Sequence, residues 1–111
     1  MTVDEIYLAI AKNISSVIKE DWQSAVLNLE VLDGMVSNTG TYINTSHEEK
    51  QIDVDEFDFQ LTFDILELRS ITTEGENNKW NKAIFRLESD GKFNMEFIWD
   101  QQLHDQVEKL S

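Results

Sequence analysis

Two segments near the end of the chain, WNKAIFRLE (80–88) and GKFNMEFIW (91–99), flank Ser89-Asp90-Gly91. Ala83, Phe85 and Leu87 alternate in the first, and Phe93, Met95 and Phe97 in the second, which is the period of a half-buried strand. This hairpin constrains the fold most, because a slip of one residue would turn a whole apolar set to the opposite face. A two-residue Asp90-Gly91 turn would set Leu87 against Asn94 and Phe85 against Glu96, scattering the apolar faces. A three-residue loop with Gly91 left-handed instead pairs Leu87 with Phe93, Phe85 with Met95, Ala83 with Phe97 and Glu88 with Lys92. The sequence therefore predicts the three-residue loop. It also places both Phe85 and Phe97 in a core, where truncation to Ala costs on the order of 3 kcal/mol.

The remaining elements follow from the same kind of pattern. Thr2 and Glu5 have the spacing of a capping box, and Val3, Ile6, Tyr7, Ile10, Ile14, Val17 and Ile18 recur at helical intervals. An amphipathic helix to about Lys19 is expected. SAVLNLEVL ends at Asp33-Gly34 and is followed by MVSNTGTYINTS, which reads as a first hairpin with a tight turn. In DQQLHDQVEKL, Leu103, Val107 and Leu110 suggest a short closing helix. Trp22, Trp80 and Trp99 each fall at an element boundary, where a large ring seals the edge of a core.

Between the hairpins lies HEEKQIDVDEFDFQLTFD (47–64), which fits two periods. Phe57, Phe59, Leu61, Phe63 and Ile65 alternate like a strand. Val54, Phe57, Leu61, Ile65 and Leu68 make an equally good helical stripe, which would leave Phe59, Phe63 and Leu66 as a second apolar stripe on the other side. Periodicity does not choose between them. The stretch is too apolar for a disordered acidic tail.

Charge narrows the function. The chain has 22 acidic and 9 basic residues in 111, a net charge of −13. Nucleic acid is excluded as a ligand, since phosphates need clusters of Lys and Arg. A basic protein is the complementary partner. The length suits one domain, residues 1–111. There is no cysteine for a disulfide or thiolate site. The start, MTVDEIYLAI, has acids where a signal peptide has a basic flank, and no apolar run approaches membrane-spanning length. A cytoplasmic protein without membrane contact is expected.

No catalytic constellation emerges. HEEKQ has Gln51 where a zinc protease needs its second histidine, and the acids from Asp53 place Phe57 and Asp58 where a calcium loop needs an oxygen ligand and a glycine. His47 and His104 have no spacing that links either to a nucleophile. Neither an enzymatic activity, a metal nor a cofactor is expected.

The helix IYLAIAKNISSVI followed by Trp22, the LELR segment, Trp80 and above all FRLESDGKFNMEFIWD resemble the YezG-like family of bacterial immunity proteins, over most of the chain. The resemblance implies an α+β domain: an N-terminal helix, an antiparallel sheet of about four strands in two hairpins, a helix over residues 54 to 73 and a short C-terminal helix. It also implies a protein that binds and neutralises a cognate toxin domain, commonly a nuclease, encoded by the adjacent gene. No toxin-contacting residue carries over by motif. Charge and exposed apolar surface nominate Glu48, Glu49, Asp53, Asp55, Glu56, Asp58, Phe59, Phe63 and Asp64 as the toxin-binding set. The competing expectation is an acidic mimic of nucleic acid that inhibits DNA-binding proteins.

Overall fold

A computed structural model describes residues 1–32, 34–74 and 79–110, with the backbone alone for residues 107–110. Helix α1 (Val3–Val17) leads into strands β1 (Trp22–Leu32), β2 (Met35–Asn44) and β3 (Glu49–Gln51). A 3-10 turn (Val54–Glu56) and helix α2 (Gln60–Thr73) precede strands β4 (Lys82–Glu88) and β5 (Phe93–Ile98), and helix α3 (Gln101–Leu110) closes the chain. The five strands form one antiparallel sheet in the order β3-β2-β1-β4-β5. The fold is α+β.

The fifth strand, beyond the two expected hairpins, is β3. Its residues are all exposed and none is apolar, so it carries no hydrophobic period, and it exists by pairing Ile43 with Glu49 and Thr41 with Gln51. The second hairpin has the expected register, with Leu87 facing Phe93, Phe85 facing Met95 and Ala83 facing Phe97. Gly91, at φ 96°, supplies the left-handed residue that this loop requires.

Period two sends Ala25, Leu27, Leu29 and Val31 of β1 to one face, beside Ala83, Phe85 and Leu87 of β4. Both long helices cover that face. Ile6, Ile10 and Ile14 of α1 and Leu61, Ile65 and Leu68 of α2 are all buried in the same cluster. Removing each such side chain from water contributes about 1.5–3 kcal/mol. The opposite sheet face carries Asn28 and Arg86 in the open and Val26 and Ile84 half-buried.

The α1 cap is complete. Thr2 Oγ1 accepts the Glu5 N–H at 3.2 Å, and Glu5 Oε1 accepts the Thr2 N–H at 3.0 Å. These bonds hold the Glu5 carboxyl below its usual range.

Of the three tryptophans only Trp80 is wholly enclosed. Its indole N–H donates to Thr72 Oγ1 at 2.7 Å, its carbonyl accepts from Arg69 Nε at 2.9 Å, and its ring lies 4.9 Å from that of Phe97. The LELR segment and Trp80 are thereby tied together. Trp22 is half-buried and Trp99 is 37% exposed, so neither is sealed as Trp80 is. Phe97 departs from the expectation too. It sits on the outermost strand, 36% exposed against 0% for Phe85 on the inner strand β4.

Candidate partner-binding site

The nominated residues occupy a strap that leaves β2, borders the sheet as β3 and enters α2. It begins at a turn organised by Asn44, whose side chain is 3% exposed. Asn44 Oδ1 accepts the N–H groups of Ser46 at 3.0 Å and Glu48 at 2.9 Å, while its Nδ2 donates to Glu20 Oε1 and Glu48 Oε1. His47 takes the left-handed conformation, φ 65°, that closes this turn.

Next comes a polar cluster that the sequence did not single out. Glu20 Oε2 accepts the Tyr42 hydroxyl at 2.6 Å and pairs with Lys50 Nζ at 3.1 Å. The Tyr42 hydroxyl, then Lys50, hold the Glu20 carboxyl below its usual range. Lys50 is raised chiefly by its hydrogen bond to Glu20. The one cation among residues 48–58 is thus already engaged, by a carboxylate outside the strap. No spacing in the sequence relates Glu20 to Lys50, since they meet only through the pairing of β1 with β2 and of β2 with β3.

The strap is then pinned twice. Ile52 is buried and donates its N–H to the Gly40 carbonyl at 2.9 Å. Gly40 permits this approach, because a Cβ there would stand 2.8 Å from the Val26 carbonyl oxygen and 3.0 Å from Ile52 Cδ1. Six residues on, the Asp58 N–H donates to Asn13 Oδ1 of α1 at 2.8 Å. Between the pins Val54 and Phe57 turn half inward, while Asp53, Asp55 and Glu56 are exposed.

This geometry moves the start of the middle helix from 54 to 60. Phe57 is extended at ψ 149°, and the Asp58 side chain accepts the Gln60 N–H at 3.0 Å. A carboxylate at that end also complements the helix dipole. From Gln60 onward the helical stripe places Leu61, Ile65 and Leu68 inward. Phe59 and Phe63 point outward, 78% and 58% exposed.

The nominated residues therefore divide. Glu48, Glu49, Asp53, Asp55, Glu56, Asp58, Phe59 and Phe63 are all exposed and follow one another along the strap into α2. Asp64 is set apart. It is 5% exposed, accepts from Gln60 Nε2 at 3.3 Å, and forms the wall of a groove between α1 and α2 together with Lys12, Asn13, Glu56 and Asp58. Among the described residues no three His, Asp or Glu side chains come together to hold a metal ion, and no helix is long and apolar enough to cross a membrane.

No curated protein gives a significant match. The family model described as "Immunity protein YezG-like" does match, over residues 3–111, from the first turn of α1 to the end of the chain. With the capped first helix, the LELR–Trp80 lock and the final hairpin all inside that span, the chain belongs to the YezG-like family of immunity proteins.

Proposed function

We propose that the protein binds and neutralises a cognate toxin domain, a basic nuclease encoded next to it, in the cytoplasm of the producing cell. The toxin is held on the strap and the first turn of α2. One observation carries the proposal: Phe59 and Phe63, four residues apart on one helix face, are 78% and 58% exposed and directly follow the exposed acids Asp53, Asp55, Glu56 and Asp58. Large rings left in water serve no folding purpose, whereas apolar anchors within a charged rim are the usual anatomy of a protein interface.

The two parts have separate tasks. A nuclease presents a cationic groove to its substrate, so the acids steer the encounter over about a Debye length, roughly 8 Å at physiological salt. The rings set how long the complex lasts. Binding alone inhibits, and no catalytic group is required.

The test is co-expression with the product of the adjacent toxin gene, followed by co-purification and rate measurements. The variant Asp53→Asn/Asp55→Asn/Glu56→Gln should associate about tenfold more slowly at low salt, and this deficit should shrink at high salt. Asp58 and Asp64 are left unaltered because one holds the entry to α2 and the other is buried. Unchanged association at low salt, with full protection of cells, would place the toxin elsewhere on the surface.

A further inference from the structure

Among the described residues, no further strand pairs with the edge of the sheet opposite the strap. β5 is the outermost strand on that side, separated from β3 by four strand spacings, roughly 19 Å. Edge strands are usually blunted by proline, lysine or a bulge, and Phe93–Ile98 contains none of these.

The direction of its backbone follows from the register. The Glu88 N–H donates to the Lys92 carbonyl at 2.8 Å, which makes 88 and 92 a hydrogen-bonded pair. Such pairs alternate along an antiparallel ladder, so Asn94 and Glu96 turn their backbone groups toward β4. Phe93, Met95 and Phe97 turn theirs away from the sheet. The same three residues carry the apolar side chains on the core-side face of β5, with Phe93 45% and Phe97 36% exposed.

We propose that β5 is the seam of a homodimer, in which two copies pair their β5 strands antiparallel about a two-fold axis through Met95 and join two five-stranded sheets into one. This register sets Phe93 against Phe97 of the second copy, Met95 against itself and Asn94 against Glu96. Lys92 becomes the diagonal neighbour of Glu96 in the other chain, within reach of a long side chain, so the seam carries opposite charges across it. An axis through Glu96 would oppose two carboxylates, and one through Asn94 would set Phe97 against Gly91. The net charge of −13 does not forbid the pairing. The exposed acids of the strap lie at the far edge of each sheet, beyond a Debye length from the seam.

The orientation of Met95 gives a selective test. Proline at this position removes an N–H that β4 does not use, so the hairpin persists while the outer edge loses a donor. Sedimentation equilibrium of the full chain should give twice 12.9 kDa, and Met95→Pro should return the mass to 12.9 kDa with a folded circular dichroism spectrum. A parent that remains monomeric at the highest concentration, or a folded Met95→Pro protein that still doubles, overturns the proposal. If Met95→Pro does not fold, amide exchange of the parent decides. The N–H groups of Phe93, Met95 and Phe97 should exchange more slowly as protein concentration rises, and exchange independent of concentration overturns the dimer. Protection of those amides in a monomeric parent only when purified toxin domain is added gives the edge to a toxin strand, and overturns it as well.

Discussion

Helices α1 and α2 lie side by side on the same sheet and differ in what their apolar residues do. In α1, Ile6, Ile10 and Ile14 form one wholly buried stripe, and the first turn is closed by a reciprocal cap. In α2 a comparable stripe, Leu61, Ile65 and Leu68, is also buried, yet two phenylalanines at its start face water and the helix lacks a side-chain cap from Phe59. Folding accounts for almost every apolar side chain of α1, Leu8 being its one exposed large residue. It does not account for Phe59 and Phe63. That surplus is the feature of α2 on which the proposed toxin contact rests.

The contrast can be broken most forcefully in the core. Ile10→Ala in α1 and Leu68→Ala in α2 should each cost about 3 kcal/mol in urea unfolding, since both side chains are 0% exposed. Phe85→Ala belongs with them, whereas Phe97→Ala on the exposed edge should cost about 1–2 kcal/mol. A much smaller loss for Leu68→Ala than for Ile10→Ala would mean that α2 is not an equal member of the core. Next in size is the outward face. Phe59→Ala and Phe63→Ala should each speed toxin dissociation about tenfold or more, while the unfolding free energy stays within about 0.5 kcal/mol of the parent. Loss of stability without loss of binding would reverse the assignment.

The caps sharpen the comparison further. Thr2→Ala should cost about 1 kcal/mol by opening the reciprocal cap of α1. Asp58→Ala should cost a similar amount if its carboxylate holds the entry to α2, and Asp58→Asn, which keeps an acceptor, should cost less. Acid is the gentlest probe. The carboxyls of Glu20, held down first by the Tyr42 hydroxyl and then by Lys50, and of Asp100, held down first by the Leu103 N–H and then by Lys82, both lie below their unfolded values. Their contribution is present above the ordinary carboxylate range and is lost as the pH falls through the lower, folded values. Glu20→Gln should therefore flatten the acid limb of a stability profile slightly, as expected for exposed groups.

Much of this was legible because the patterns were one-sided. The capping spacing and the Ile series define α1, and the choice of loop at Ser89-Asp90-Gly91 follows from keeping Phe85 and Leu87 on one face. The middle segment defeated periodicity for a physical reason: a helix apolar on two sides also yields alternating residues over a short window, and only the family resemblance selected the helix. β3 was invisible because a strand without an apolar side chain has no period. The exposure of Phe97 depends on strand order, which no local pattern contains. In the candidate site, the second stripe was read as Phe59, Phe63 and Leu66; Phe59 and Phe63 are exposed, whereas Leu66 is half-buried against the core. Asp64 was nominated by charge, and its burial follows from facing α1.

The pins at Ile52 and Asp58 have a consequence for how such a protein can change over generations. Gly40 and Asn13 fix the ends of the strap through backbone groups, so the side chains of Asp53, Asp55 and Glu56 take no part in either attachment. Their identities can drift without disturbing the core, whereas almost any change at Gly40 collides with the Val26 carbonyl oxygen. A lineage whose adversary alters its surface thus has a segment free to follow, hung on a frame that need not be reinvented each time.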